Sequence, residues 1–279
     1  MTLSYNISAN LKQYLNKIEK LRVEILLYPI STSDEAKLKW NVINERGDRN
    51  VFNFIKEEWY VSAKPITFEV IKDLYEITTN KKLTKASGFT DYSEKRINVF
   101  LTYIQQSNDN PIIQAAIAQA EILEIKPFID VSGKIARFMS YVMLYKYGLD
   151  FRGMLNLNEF YETDNKTYRK MVEGVQKNSN LTVWLEYFSY GIMVSLEKVL
   201  NNIKKIQEEK TDNNKFRLNS RQLKILEEFD KPNAKMTNRI VQKLYKVSQI
   251  TASRDLSKLA ETGLLFSHGK GRAVFYVKA

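Results

Sequence analysis

Past about Phe216 the sequence leaves long stretches of helical period for short elements set off by capping residues and glycines. Few packings accept that order. Asn219 or Ser220 can cap a helix with Leu223, Ile225, Leu226 and Phe229 inside, ending near Pro232. A second helix is expected over 237–245. Lys246, Val247 and Ser248 then form a turn, and Ser248 can cap a third helix over 249–261. Gly263 stands where a helix C-cap needs a left-handed residue. The apolar run Leu264, Leu265, Phe266 reads as a strand. His268, Gly269, Lys270, Gly271 and Arg272 form a glycine-rich turn, and Ala273 to Val277 reads as a second strand.

Three helices and a β-hairpin make the layout of a winged helix-turn-helix domain, and 247–265 closely resembles the recognition helix and first wing strand of bacterial winged-helix repressors. The spacing predicts that Ile250, Leu256 and Leu259 share the buried face. The opposite face would show Ser248, Gln249, Thr251, Ala252, Ser253, Arg254 and Lys258. Small residues there let the backbone approach base edges. Gln249 can pair bidentately with adenine, and Arg254 can reach guanine or a phosphate. His268, Lys270 and Arg272, around two glycines, would lie along the backbone or in the minor groove. Double-stranded DNA is the partner implied; a protein-contact module is the other use of this fold.

Charge supports that assignment. The chain carries a formal +11, unevenly spread: residues 1–202 hold 26 Lys+Arg against 24 Asp+Glu, and residues 203–279 hold 17 against 8. An asymmetry of this size points one end at a polyanion. With no cysteine, disulfides and thiolate metal sites are excluded, and a lone histidine nearly excludes histidine-rich metal centres. With charged residues from Lys12 onward, no signal peptide is expected. The most apolar stretch, 111–125, is too short for a membrane span and carries Glu121 and Glu124. A cytoplasmic protein without membrane contact is expected.

The first 210 residues are read as mostly helical, giving a mainly α chain. Helices are expected over 10–27, from Ser33, over 65–77, 94–105, 111–125, 132–147 and 157–174, with a loop or short hairpin over 81–92. The longest stripe is Trp184, Leu185, Phe188, Ile192, Leu196, Val199, Ile203 and Ile206. The charged run 208–215 reads as a linker. The expected domains are therefore 1–209, all helical, a linker at 210–217, and a winged helix at 218–279.

Between Asn110 and Arg137 the chain resembles Fic-domain proteins, whose signature is His-Pro-Phe-x-Asp/Glu-Gly-Asn-Gly-Arg-x-x-Arg on a loop between two helices. Leu38-Lys39-Trp40, Asn110-Pro111-Ile112-Ile113 and Thr182-Val183-Trp184-Leu185-Glu186-Tyr187-Phe188 are similar to further family segments. The resemblance implies an all-helical Fic-like domain that binds ATP with magnesium and moves AMP to a protein hydroxyl. In that scheme the motif histidine is the general base, the acidic residue holds magnesium, the glycines and asparagine cradle phosphates, and the arginines neutralise charge. Pro127, Phe128, Asp130, Gly133 and Arg137 match. Lys126 replaces the histidine, Val131 the first glycine, Ser132 the asparagine and Lys134 the first arginine.

An ammonium has donors and no acceptor, so Lys126 cannot take a proton as the family base does. Val131 crowds the anion nest, and Lys134 lacks the fork of arginine. The expectation is a pseudo-enzyme with no cofactor. Ser132, Gly133, Lys134 and Arg137 remain candidates for nucleotide contact, and Asp130 is a metal ligand only if magnesium arrives with the nucleotide. The family's inhibitory helix would correspond to 52–59, with Lys56 where its glutamate stands, or Glu57 or Glu58 in its place. The family's target-docking flap would correspond to 87–97. The favoured function is a DNA-binding transcriptional regulator, as a homodimer, whose Fic-like body dimerises or senses a nucleotide or other ligand. The alternatives are a divergent Fic nucleotidyl- or phosphotransferase and a protein-interaction module.

Overall fold

A computed structural model describes residues 4–46, 48–177, 180–216, 218–230, 234–269 and 271–279. The chain divides into two compact units, Met1–Ile203 and Lys204–Ala279.

The first unit is helical among the described residues. Its order is α1 (Ala9–Leu27), α2 (Thr32–Arg46), α3 (Arg49–Trp59), α4 (Phe68–Thr79), α5 (Asp91–Gln106), α6 (Pro111–Ile125), α7 (Ser132–Lys146), α8 (Leu157–Thr163), α9 (Asn165–Lys177) and α10 (Thr182–Phe216). The Asn110 side chain caps α6 by accepting from the Ile112 N–H at 2.9 Å, and Pro111 fits the first turn, where no N–H is needed. Every residue of α6 from Ile112 to Leu123 is buried. A helix apolar on all sides has no face for water, so it runs through the centre. Two of its polar side chains reach other elements: Gln114 accepts from the Tyr147 hydroxyl at 3.0 Å, and Gln119 Oε1 from Tyr161 at 3.2 Å. α7 packs along α6, and α10 presents Trp184, Leu185, Phe188, Ile192, Leu196 and Ile203 to this core. The Trp184 indole N–H donates to the Ala116 carbonyl at 2.8 Å. Each such fully buried side chain contributes roughly 1.5–3 kcal/mol of apolar burial.

Two boundaries differ from the sequence expectation. The single helix over 157–174 is two helices, because the Asp164 carboxylate accepts from the Thr167 N–H at 3.0 Å and starts a new helix. The run 208–215 is helical, since α10 continues to Phe216. That run holds neither Gly nor Pro, and its Glu and Lys propagate a helix well, so polarity alone does not interrupt it. The boundary between the units falls within α10. No helix of the described residues is long and apolar enough to cross a membrane.

The second unit contains α11 (Ser220–Glu227), α12 (Asn238–Tyr245), α13 (Gln249–Glu261), β1 (Leu265–His268) and β2 (Phe275–Lys278). The strands pair antiparallel, with Leu265 opposite Lys278 and His268 opposite Phe275. Met236 adds a backbone bridge to Tyr276, bonded in both directions at 2.7 and 3.0 Å. Ile225, Phe229, Val241, Leu256, Leu259 and Leu265 form its core. The hairpin turn demands glycine: Gly269 has φ +88°, and a Cβ there would lie 2.5 Å from the Ala273 carbonyl oxygen.

Candidate functional sites

The first site is the loop from α6 to α7. Lys126 ends α6 in the left-handed conformation (φ 48°, ψ 58°), its N–H donating to the Ile122 carbonyl at 3.0 Å, and Pro127 prevents the helix from continuing. Phe128 turns inward and packs on Tyr75 with ring centroids 4.6 Å apart. The Ser132 hydroxyl closes the loop. Its Oγ accepts from the Phe128 N–H at 2.9 Å and donates to the Phe128 carbonyl at 2.7 Å. The Ile129 N–H donates to the Ser87 carbonyl at 3.2 Å, tying the loop to the 87–90 turn. Gly88 is needed there, because a Cβ would come within 2.6 Å of Ile129 Cγ1.

Beside this loop lies a cleft of about 710 Å³. Lys126, Asp130, Ser132, Gly133 and Arg137 line one side; Tyr168, Arg169 and Glu173 of α9 line the other. The α9 wall was absent from the sequence reading, because nothing in its spacing ties it to the loop. Val131, before α7, gives no side-chain cap to the first turn of that helix, so its N–H groups are open to an acceptor. Arg137 has no ion-pair partner among the described residues and also borders a second cavity of about 240 Å³ with Tyr161 and Glu162.

Lys134 corrects the sequence reading. It was a candidate nucleotide contact, but its ammonium pairs with both carboxylate oxygens of Asp48, at 3.1 and 3.2 Å, and it does not line the cleft. Lys134 stands about 100° around α7 from Gly133, on the side where Asp48 of the α2–α3 junction meets it. The segment 52–59 forms α3, which packs on α7 through Phe52 against Phe138 and Tyr141, while Lys56, Glu57 and Glu58 are exposed. The acid that reaches the start of α7 is therefore Asp48. Among the described residues no group of three His, Asp or Glu side chains is placed to hold a metal.

Close by, Glu121 and Glu124 share Arg96, with Glu121 at 3.9 Å and Glu124 in direct contact. Burial, and then the neighbouring Glu124 charge, push the Glu121 carboxyl up to about 7 against the pull of Arg96.

The second site is the outer face of α13. Ser248 caps the helix, its Oγ accepting from the Thr251 N–H at 3.2 Å. Gln249, Ser253, Arg254 and Lys258 are exposed, and Thr251 is half-buried. Two residues exchange places relative to the expected pattern. Ala252, expected on the outer face, is fully buried, whereas Ile250 is 71% exposed. Ala252 falls on the stripe of Leu256 and Leu259 at spacings of four and seven; Ile250 does not, and it sits beside Ser253 and Arg254. His268 is exposed and stacks on Phe275 at 5.4 Å, its cross-strand partner. Lys270 and the Arg272 side chain lie outside the described residues, as does the Trp40 side chain.

Asp255 went unremarked in the sequence reading. It is a charged residue only 2% exposed, accepting from Arg221 and Gln222 of α11 and holding α13 against that helix. A buried acid in a helix with a basic outer face is the signal that could have found it.

No family model and no curated protein matches the chain. Among solved structures, a Fic family protein from Desulfovibrio desulfuricans G20 aligns over 100% of this chain and 98% of its own, with a TM-score of 0.57 and 11% identity. The chain has a Fic-like fold. At that identity the likeness is one of fold, and what the Fic-like cleft and α13 do must come from their own side chains.

Proposed function

We propose that this chain is a DNA-binding regulator: the second unit is a winged helix-turn-helix domain that reads duplex DNA with α13, and the Fic-like unit senses a ligand or dimerises rather than transferring AMP. The observation that carries the reading is the outer face of α13. Gln249, Ser253, Arg254 and Lys258 stand exposed at and beyond a capped helix start, and the buried Asp255 pins the helix to α11. A docked helix with exposed amide and guanidinium groups suits base edges and phosphates, and the adjoining hairpin stands as the wing. Replacing Arg254 and Lys258 by alanine is expected to abolish retention of DNA from upstream of the protein's own gene. Unchanged retention would overturn the assignment of the reading helix.

The Fic-like cleft supports the sensing role. Its floor can take an anion, since the α7 start is uncapped and Lys126, Arg137 and Arg169 bring positive charge. Toward a magnesium nucleotide the fit is partial: Asp130 is the one motif acid at the cleft, Lys134 is engaged by Asp48, and the Ser132 hydroxyl is used within the loop. At the base position stands Lys126, exposed and without an acceptor atom. The second reading, a divergent AMP- or phosphotransferase, draws on the same anion floor and on the unpaired Arg137. Incubation with labelled ATP and magnesium separates the two. No label on the protein or on added proteins is expected, and robust labelling would favour the transferase.

A further inference from the structure

We infer that Arg221, at the start of α11, contacts a phosphate of duplex DNA, with the buried carboxylate of Asp255 fixing its direction. The inference rests on the DNA-binding reading and adds a contact from a helix other than α13. Asp255 Oδ1 accepts from Gln222 Nε2 at 2.9 Å, and Oδ2 accepts from Arg221 Nε at 2.5 Å. Gln222 is itself immobilised by a reciprocal cap: its Oε1 accepts from the Asn219 N–H at 3.0 Å, and Asn219 Oδ1 accepts from the Gln222 N–H at 2.9 Å. The carboxylate is thus held on one side by an amide with no freedom left, and it grips the guanidinium by a single nitrogen.

The rest of that guanidinium is available. The Arg221 side chain is 35% exposed, and its two terminal nitrogens have no partner among the described residues. Those nitrogens form the edge that pairs bidentately with phosphate oxygens. Its position is right as well. At about 100° per residue, Asp255 lies about 60° around α13 from Lys258 and about 100° from Arg254. On its other side are Ala252, Leu256 and Leu259, which face the core. Arg221 therefore continues the basic flank begun by Arg254 and Lys258. An arginine oriented before the phosphate arrives loses less rotamer freedom on binding, which is the advantage of a buried acid behind it.

Arg221→Gln tests this in the full-length protein, because the amide can still donate to Asp255 while the outward fork is gone. Binding to a labelled duplex is measured across a salt series, alongside thermal unfolding and a comparison of several duplex sequences. The expected result is binding weaker by a factor of about 3–10 on every sequence, a salt slope shallower by about 0.9, and an unchanged order of preference among sequences. Arg221→Lys, which returns the charge, is expected to recover the slope; failure to do so would count against the contact. A lower melting temperature with affinity and slope at wild-type values would overturn the inference and leave the pair purely structural. If the wild type binds duplex and Arg254→Ala does not, while Arg221→Gln matches the wild type, this inference alone falls. If the wild type binds no duplex, the DNA-binding reading falls and takes the inference with it.

Discussion

Replacing Asp255 by alanine should unfold the second unit at a much lower temperature while leaving the first untouched. The carboxylate is 2% exposed, and its loss removes the partner of the Gln222 amide, itself only 7% exposed. A buried donor left without a partner costs about 1–3 kcal/mol, and a charge-assisted bond to Arg221 is lost as well. Removal of one member of a fully buried ion pair costs about 3–5 kcal/mol, but Arg221 is partly exposed and can rehydrate, so the lower end applies. About 2–4 kcal/mol is expected in all. In a domain of 60–100 residues each kcal/mol moves the midpoint by about 4–8 °C, so the second unit should melt about 8–32 °C earlier. The two units can be followed separately. All three tryptophans (Trp40, Trp59 and Trp184) lie in the first unit. Tryptophan fluorescence should keep its wild-type midpoint, while helical circular dichroism gains an early step. An unchanged dichroism curve, or a tryptophan midpoint that falls in parallel, would refute the reasoning.

Three further outcomes follow from named contacts. Ser132→Ala leaves the buried Phe128 N–H and carbonyl unsatisfied, and should cost about 1–3 kcal/mol, read as a lower urea midpoint by tryptophan fluorescence. The Glu121 carboxyl is raised to about 7 in the fold, so between about pH 4.5 and pH 7 the folded state binds the extra proton. Stability of the first unit should therefore fall as pH rises through that window, by at most about 3 kcal/mol, and Glu121→Gln should flatten the profile. Gly269→Val places a β-branched side chain at φ +88° against the Ala273 carbonyl, and should destabilise the hairpin by about 1–3 kcal/mol, seen as an earlier melt of the second unit.

Much of the architecture was legible in the sequence because it is written in apolar period. The stripe from Trp184 to Ile203 became one buried face of α10, and the all-apolar run of α6 became the central helix. The expected capping residues Asn219 and Ser248 start helices where their side chains accept from the first turn. What was hidden depends on direction within a helix or on contacts far apart in sequence. Ile250 and Ala252 exchanged places because hydrophobicity suggested the face that helical angle refused. Asp164 broke a helix through one side-chain bond that composition does not reveal. Lys134 turned to Asp48, 86 residues away, and α9 supplied the far wall of the cleft. Buried acids such as Asp255 read as surface in a sequence, because their partners belong to another helix.

The most direct test of the DNA-binding account is a salt titration of the full-length protein on a duplex taken from upstream of its gene. The account predicts tight binding at low salt that weakens steeply and linearly in log–log form, with a slope set by several phosphate contacts from the α13 flank. Binding that is absent at low salt, or that stays flat as salt rises, would contradict it.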